Sequence, residues 1–188
     1  MDFRRHYTIP MTMKTLPLMI LLLSLPLLAG AQTAKDTVMA RWCGTYKGTL
    51  QIFGKNGKVD EVPMGLDIRV IKPDSLWQWE ITYGSGDDAD IRDYQLVAID
   101  TARNYAYTLD EKDGILLSFY FVGKVFYSLF EVNGTQLTTF YSLGKDRISM
   151  QIITMNPARK DYEVLTGEGI HVSAFPPTGI QQAVLRKQ

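Results

Sequence analysis

The chain has 188 residues, with 20 Lys plus Arg balanced by 20 Asp plus Glu, 46% apolar side chains, one cysteine and two histidines. Balanced charge excludes a sequence-wide attraction to nucleic-acid phosphates or anionic membranes, and this apolar content excludes a disordered chain. A single cysteine, Cys43, excludes an internal disulfide.

The chain opens on a processing signal. Arg4, Arg5 and Lys14 form a basic start, residues 16–28 an apolar run, and Ala29-Gly30-Ala31 the small residues of a cleavage site before Gln32. The run is shorter than the roughly 20 apolar residues of a membrane-spanning helix. Residues 1–31 are therefore expected to be a cleaved signal peptide. The product is expected to be exported, periplasmic or secreted, and not embedded in a membrane. Residues 32–188 are expected to be one domain carrying 17 Lys plus Arg against 19 Asp plus Glu. A domain of that size buries about 70% of its unfolded surface and needs no disulfide.

Residues 35–40 have the composition of a short helical turn, and Cys43 beside Trp42 reads as a small buried residue. Period-two alternation then takes over. Tyr46, Gly48, Leu50 and Ile52 alternate with Thr45, Lys47, Thr49 and Gln51. Asn56-Gly57 closes the first hairpin. Met64, Leu66, Ile68 and Val70 form the apolar face of the next run, and Trp77, Trp79, Ile81 and Tyr83 that of the third. Further runs at 91–100, 105–110, 115–122, 124–132, 135–143, 147–155 and 181–186 bring the number to ten. The links are short and rich in Asp-Gly and Asn-Gly, which suit tight turns between antiparallel neighbours. Ten such strands with no long crossover predict an all-β, antiparallel up-and-down barrel, because an open sheet of that size leaves costly edges. Residues 156–177, punctuated by Pro and Gly, predict a long excursion with one strand over 162–165.

The stretch Trp42-Cys43-Gly44-Thr45-Tyr46-Lys47-Gly48 resembles the opening of the calycin-like barrels: lipocalins, fatty-acid-binding proteins and the haem-binding nitrobindins. Those families begin with a short helical segment and a Gly-X-Trp entering the first strand. Here Tyr46 stands where they have Trp. Tyr94-Gln95-Leu96, residues 109–115 and residues 127–132 are similar to segments of exported, uncharacterised lipocalin-like bacterial proteins. The resemblance implies an antiparallel meander around a cavity. Its nitrobindin branch implies a haem ligand from a late histidine, and His171 is the only histidine after the signal.

Aromatic residues concentrate on the strands. Tyr46, Leu50, Trp77, Trp79, Tyr83, Tyr107, Phe119, Tyr127 and Tyr141 are the candidate lining of a site for a small, largely apolar molecule, since Tyr and Trp join an apolar body to one hydrogen-bonding tip. The same residues equally suit a barrel filled by its own side chains. Asp87-Asp88-Ala89-Asp90 lacks the ligand spacing of a calcium loop and reads as a solvated hairpin tip, and Asn133-Gly134-Thr135 reads as a turn as well as a glycosylation sequon. No phosphate-binding loop, nucleophile elbow or metal-spaced His/Cys set occurs, and Glu80 and Glu131 are the strand-borne carboxylates to inspect. The expectation is an exported, non-catalytic carrier of a small hydrophobic molecule, with no cofactor, no catalytic residue, no metal site and no nucleic-acid partner. The alternatives are an envelope interaction module with a filled barrel and, third, a haem-binding barrel or an enzyme.

Overall fold

The computed structural model describes residues 38–100 and 105–188. The expected signal segment 1–31 and the link 101–104 lie outside the described residues, as do residues 35–37 of the expected helical turn. Within the described part, α1 (Val38–Trp42) leads into β1 (Gly44–Gly54), β2 (Gly57–Lys72), β3 (Leu76–Tyr83), β4 (Asp90–Ala98), β5 (Ala106–Asp110), β6 (Leu116–Val122), β7 (Val125–Val132), β8 (Thr135–Leu143) and β9 (Arg147–Met155). A small hairpin, β10 (Tyr162–Leu165) and β11 (His171–Ala174), precedes the last strand, β12 (Pro177–Lys187).

Ten strands form a closed barrel in the order β1-β12-β9-β8-β7-β6-β5-β4-β3-β2, every pair antiparallel, while β10 and β11 pair only with each other. The predicted meander is therefore the observed one. Closure removes both sheet edges, and it is made by β12 returning to β1, with Tyr46 opposite Lys187 and Leu50 opposite Ala183. The hairpin links behave as their residues dictate. Asn133 and Gly134 take φ of 49° and 76°, the left-handed pair that a two-residue hairpin turn requires.

Two differences from the sequence reading have plain causes. Strand β2 starts at Gly57, well before Met64, because it pairs with β1 out to Gly54 across a bulge at Ile52/Phe53. Both faces of that projecting hairpin tip are wet, so no alternation marks it. The excursion holds a second strand, β11, whose His171, Val172 and Ser173 pair with Leu165, Val164 and Glu163. Four residues flanked by Gly and Pro are too few for a periodicity signal.

Alternation decides what faces inward. Tyr46, Leu50, Met64, Leu66, Ile68, Trp77, Trp79, Ile81, Leu96, Tyr107, Leu109, Phe119, Phe126, Tyr141, Ile148, Met150, Ala183 and Leu185 form one buried cluster together with Met39 and Trp42 of α1. The outer wall carries Lys47, Asp67, Arg69, Asp93 and Arg186, so its polarity is the reverse of a barrel that faces lipid. No helix among the described residues is long and apolar enough to cross a membrane.

Candidate functional site: the barrel interior

The end of the barrel next to α1 is closed by packing. Trp42 enters it from the helix, with ring centroids 4.8 Å from Phe126, 6.2 Å from Trp79 and 6.4 Å from Phe121. Above it Trp79 meets Tyr141 at 5.2 Å and Phe119 at 6.1 Å, and Tyr107 meets Phe126 at 5.2 Å and Trp77 at 6.1 Å. Most of these contacts are edge-to-face, the arrangement in which ring edges meet ring faces favourably. The helix is pinned by its last carbonyls: Tyr46 Oη donates to Trp42 O at 2.9 Å, and Lys187 Nζ donates to Cys43 O at 2.9 Å. Carbonyls at a helix end lack intrahelical partners, so these two side chains satisfy them. This gives the Gly44-Thr45-Tyr46 opening its physical role. Cys43 Sγ donates to Met39 O at 3.3 Å, and burial pushes its thiol pKa up, away from a reactive thiolate.

The opposite end is built differently. Ile52, Val62, Tyr83, Tyr94, Leu117 and Ile152, from six different strands, pack on the core yet stay only partly buried. They form an apolar ring at the mouth. On one side of it Tyr94 and Glu111 lie close together, with Tyr83, Arg92 and Asp113 nearby. Burial, then the neighbouring Asp113, holds the Glu111 carboxyl above its ordinary range. Burial, then the nearby Tyr94, pushes Tyr83 up to about 12. Arg92 is tied at the rim to Asp90, at 2.7 and 3.0 Å.

Between the aromatic base and this mouth lie the only two buried polar residues of the described chain, Ser128 and Thr139, opposite each other on β7 and β8. Ser128 Oγ is buried without a hydrogen-bond partner. Trp79 Nε1 is buried too. It leans toward Tyr141, enough to oppose the upward push that burial gives that phenol, but it meets no acceptor in hydrogen-bond geometry.

Of the nine candidate lining residues, Tyr46, Leu50, Trp77, Trp79, Tyr107, Phe119 and Tyr141 are buried together inside, and Tyr83 lies at the mouth. Tyr127 does not join them. It faces outward between Phe126 and Ser128, both inward, and meets Phe140 of β8 at 5.4 Å. The sequence run at 124–132 is apolar on both faces, so alternation alone does not choose its side. The same packing answers the cavity question for one half of the barrel: around Trp77, Trp79, Tyr107 and Phe119 the interior is filled by rings. Sequence patterning gives no signal for Tyr94, Glu111 or Ser128 as site residues, because Ser128 looks like an ordinary strand serine and Glu111 like part of a turn.

His171 does not fit a haem ligand. It sits on the β10–β11 hairpin, exposed, with Nε2 2.7 Å from Glu163 Oε1, and not on an inward position of a barrel strand. Among the described residues no group of three or more His, Cys, Asp or Glu is placed to hold a metal ion. Asp87 and Asp88 form a short exposed turn over Gly86–Asp88. Glu80 lies on the outer face and accepts from Gln78 Nε2 at 2.9 Å, while Glu131 is exposed.

Two depressions, of about 700 and 560 Å³, are open troughs on the outer wall, lined mainly by outward residues such as Lys47, Thr49, Gln51, Gln151 and Gln182 in one and Thr45, Asp67, Glu80 and Thr82 in the other. Their alternation places them away from the buried hydroxyls and the carboxyl of the mouth, which hold the concentrated chemistry.

No family model matches the chain, and no curated protein matches it. Several solved structures resemble it. An S-type phycobiliprotein lyase from Guillardia theta aligns at TM-score 0.52 and 10% identity, over 80% of this chain and 90% of that one. A protein of unknown function from the DUF3598 family of Nostoc punctiforme aligns at TM-score 0.53 and 10% identity, over 85% of this chain and 53% of that one. At that identity the likeness shows the fold alone, a closed antiparallel β-barrel.

Proposed function

We propose that the protein is an exported, non-catalytic carrier that binds a small, largely apolar molecule at the open end of the barrel. The observation that carries this reading is the ring of Ile52, Val62, Tyr83, Tyr94, Leu117 and Ile152. These apolar side chains pack on the core and yet keep contact with solvent at the mouth. Apolar surface left wet on an inner wall gains about 25 cal/mol per Å² when a ligand covers it. The filled base beneath is a rigid floor, so little ordering is required on binding. Similarity to a phycobiliprotein lyase supports a ligand-handling barrel. Export rests on residues 1–31, and N-terminal sequencing of the mature protein is expected to begin at Gln32.

The test is an environment-sensitive, uncharged dye such as Nile red. Its emission should rise in the presence of the protein and fall again in Leu117→Trp or Ile152→Trp, which fill the mouth. No rise with the wild type, or an undiminished rise in both variants, overturns the reading.

A second reading has its own observation. The outer face of β6 and β7 exposes Leu116 (65%), Tyr120, Val122 and Leu129 (67%), an apolar surface of the kind found at protein interfaces. An interaction module would retain a stable protein partner in native mass spectrometry and carry no small-molecule mass.

A further inference from the structure

The troughs of about 700 and 560 Å³ on the outer wall share Lys47 and Gly48 and are otherwise unlike. The smaller is bounded by Asp67 and Glu80, whereas no carboxylate lines the larger, which lies over β1, β12, β9 and β8. Strand register gives the larger trough an order that no stretch of sequence shows. Gln51 stands opposite Gln182, Gln182 opposite Gln151, Gln151 opposite Phe140 and Phe140 opposite Tyr127. All five point outward, because Leu50, Ala183, Met150, Tyr141 and Phe126 beside them in the chain are buried inside. With strands about 4.8 Å apart, this row of three amides and two rings runs about 19 Å around the wall. Tyr127 meets Phe140 edge to face at 5.4 Å and steadies that ring at the border of the trough.

Much of the polar surface here is uncommitted. Gln182 Nε2 donates to Gln51 Oε1 at 3.3 Å, but the side chains of Gln151 and of the facing pair Ser142 and Ser149 make no hydrogen bond with any described residue. Further along β1 and β12 the trough ends on Lys47 opposite Arg186. Lys47 has no ion pair among the described residues. Arg186 shares Asp146 with Arg147, at 3.8 and 4.0 Å, so one carboxylate serves two guanidiniums and positive charge is in excess. Glu61, the neighbour of the row on β2, is tied to Lys58 at 2.8 Å.

We propose that this trough is a second binding site, for a linear glycan that carries carboxylates, and that it works independently of the barrel mouth. Amide side chains donate and accept at once, as sugar hydroxyls do, and three in a row offer that match repeatedly. The Phe140 ring supplies an apolar surface for the C–H face of a sugar. Lys47 and Arg186 supply the complement to a carboxylate at one end. A nucleic acid would need cations along the whole row, where the side chains are uncharged. An extended peptide would need an open sheet edge, which closure of the barrel has removed.

The test is calorimetric titration of the mature protein with hexasaccharides of polygalacturonate, alginate and hyaluronan, beside cellohexaose and xylohexaose, at neutral pH with a chelator present. At least one acidic hexasaccharide is expected to bind, and the neutral ones to bind at least about fivefold more weakly. Added salt should weaken the acidic ligand. Gln151→Ala and Phe140→Leu should each weaken it by roughly threefold or more, as should Lys47→Gln, which should also reduce the salt dependence. These side chains face outward, so melting temperatures should stay near that of the wild type. Thr82→Ala, in the neighbouring trough, should bind as the wild type does. Failure of all three acidic hexasaccharides to bind, equal affinity for the neutral ones, or full affinity in both Gln151→Ala and Lys47→Gln overturns the proposal. Nile red emission, which reads the mouth, should be unchanged in these variants, so the carrier reading and this one can each fail alone.

Discussion

Gly48 sits where the last strand closes on the first, and replacing it tests whether closure depends on that close approach. A Cβ built at Gly48 lies 2.3 Å from the Val184 carbonyl oxygen and 3.1 Å from Leu185 Cδ2. The comfortable C···O separation is about 3.3–3.6 Å, so the methyl group intrudes by about 1 Å on backbone that cannot rotate away. The ladder between β1 and β12 steps from Lys47/Arg186 to Leu50/Ala183, and the intervening approach is what the substitution would pry apart. Overpacking costs typically 1–3 kcal/mol, and with a backbone obstacle the upper end applies, about 3 kcal/mol. With a urea m-value of about 2 kcal/mol/M, Gly48→Ala should lower the midpoint by roughly 1.5 M. Gly65→Ala is the matched control. Its Cβ would meet Thr82 Cβ at 3.5 Å, an ordinary contact, and the reduced freedom of the unfolded chain should stabilise it by a few tenths of a kcal/mol. Equal midpoints for the two variants, or a loss below about 0.5 kcal/mol for Gly48→Ala, would refute the steric account of closure.

Four further outcomes are expected. Trp42→Ala removes the plug ring that touches Phe126, Trp79 and Phe121, and should cost about 3–5 kcal/mol by thermal or urea denaturation. Tyr46→Phe keeps the packing but leaves the Trp42 carbonyl without its donor, costing about 1 kcal/mol by the same measurement. For pH, burial opposes ionisation of Asp67, but hydrogen bonds from Arg69 and Thr45 outweigh it and lower its pKa. Its contribution should therefore be present above the unfolded pKa and vanish as pH falls through the lower folded value, so Asp67→Asn should flatten the acid limb of a stability-against-pH curve. Glu111 has the opposite sign: its raised pKa penalises the folded state once ionised and not below the unfolded pKa, so Glu111→Gln should stabilise at neutral pH and show no gain at low pH.

The aromatic Trp77/Trp79 and Tyr107 positions are legible as inward because each run alternates cleanly against Gln78, Glu80 and Thr108, a pattern local enough to survive without a partner strand. Tyr127 is not, since β7 carries apolar residues on both faces and only its neighbours Phe126 and Ser128, buried by other strands, assign its side. The buried pair Ser128 and Thr139 is hidden for the same reason. Nothing within a few residues of Ser128 distinguishes it from a solvent-facing serine.

What the sequence determined by itself was the ten-strand meander, its turns and the helical lead, because period-two patterning and Asn-Gly chemistry act over two to ten neighbouring residues. Whether the enclosed space is occupied was settled only by tertiary structure. Trp42, Trp79, Phe119 and Phe126 come from four separate elements and fill the base only after the β1–β12 seam shuts. Volume inside a closed sheet depends on all its strands at once, and no local stretch of chain carries that information.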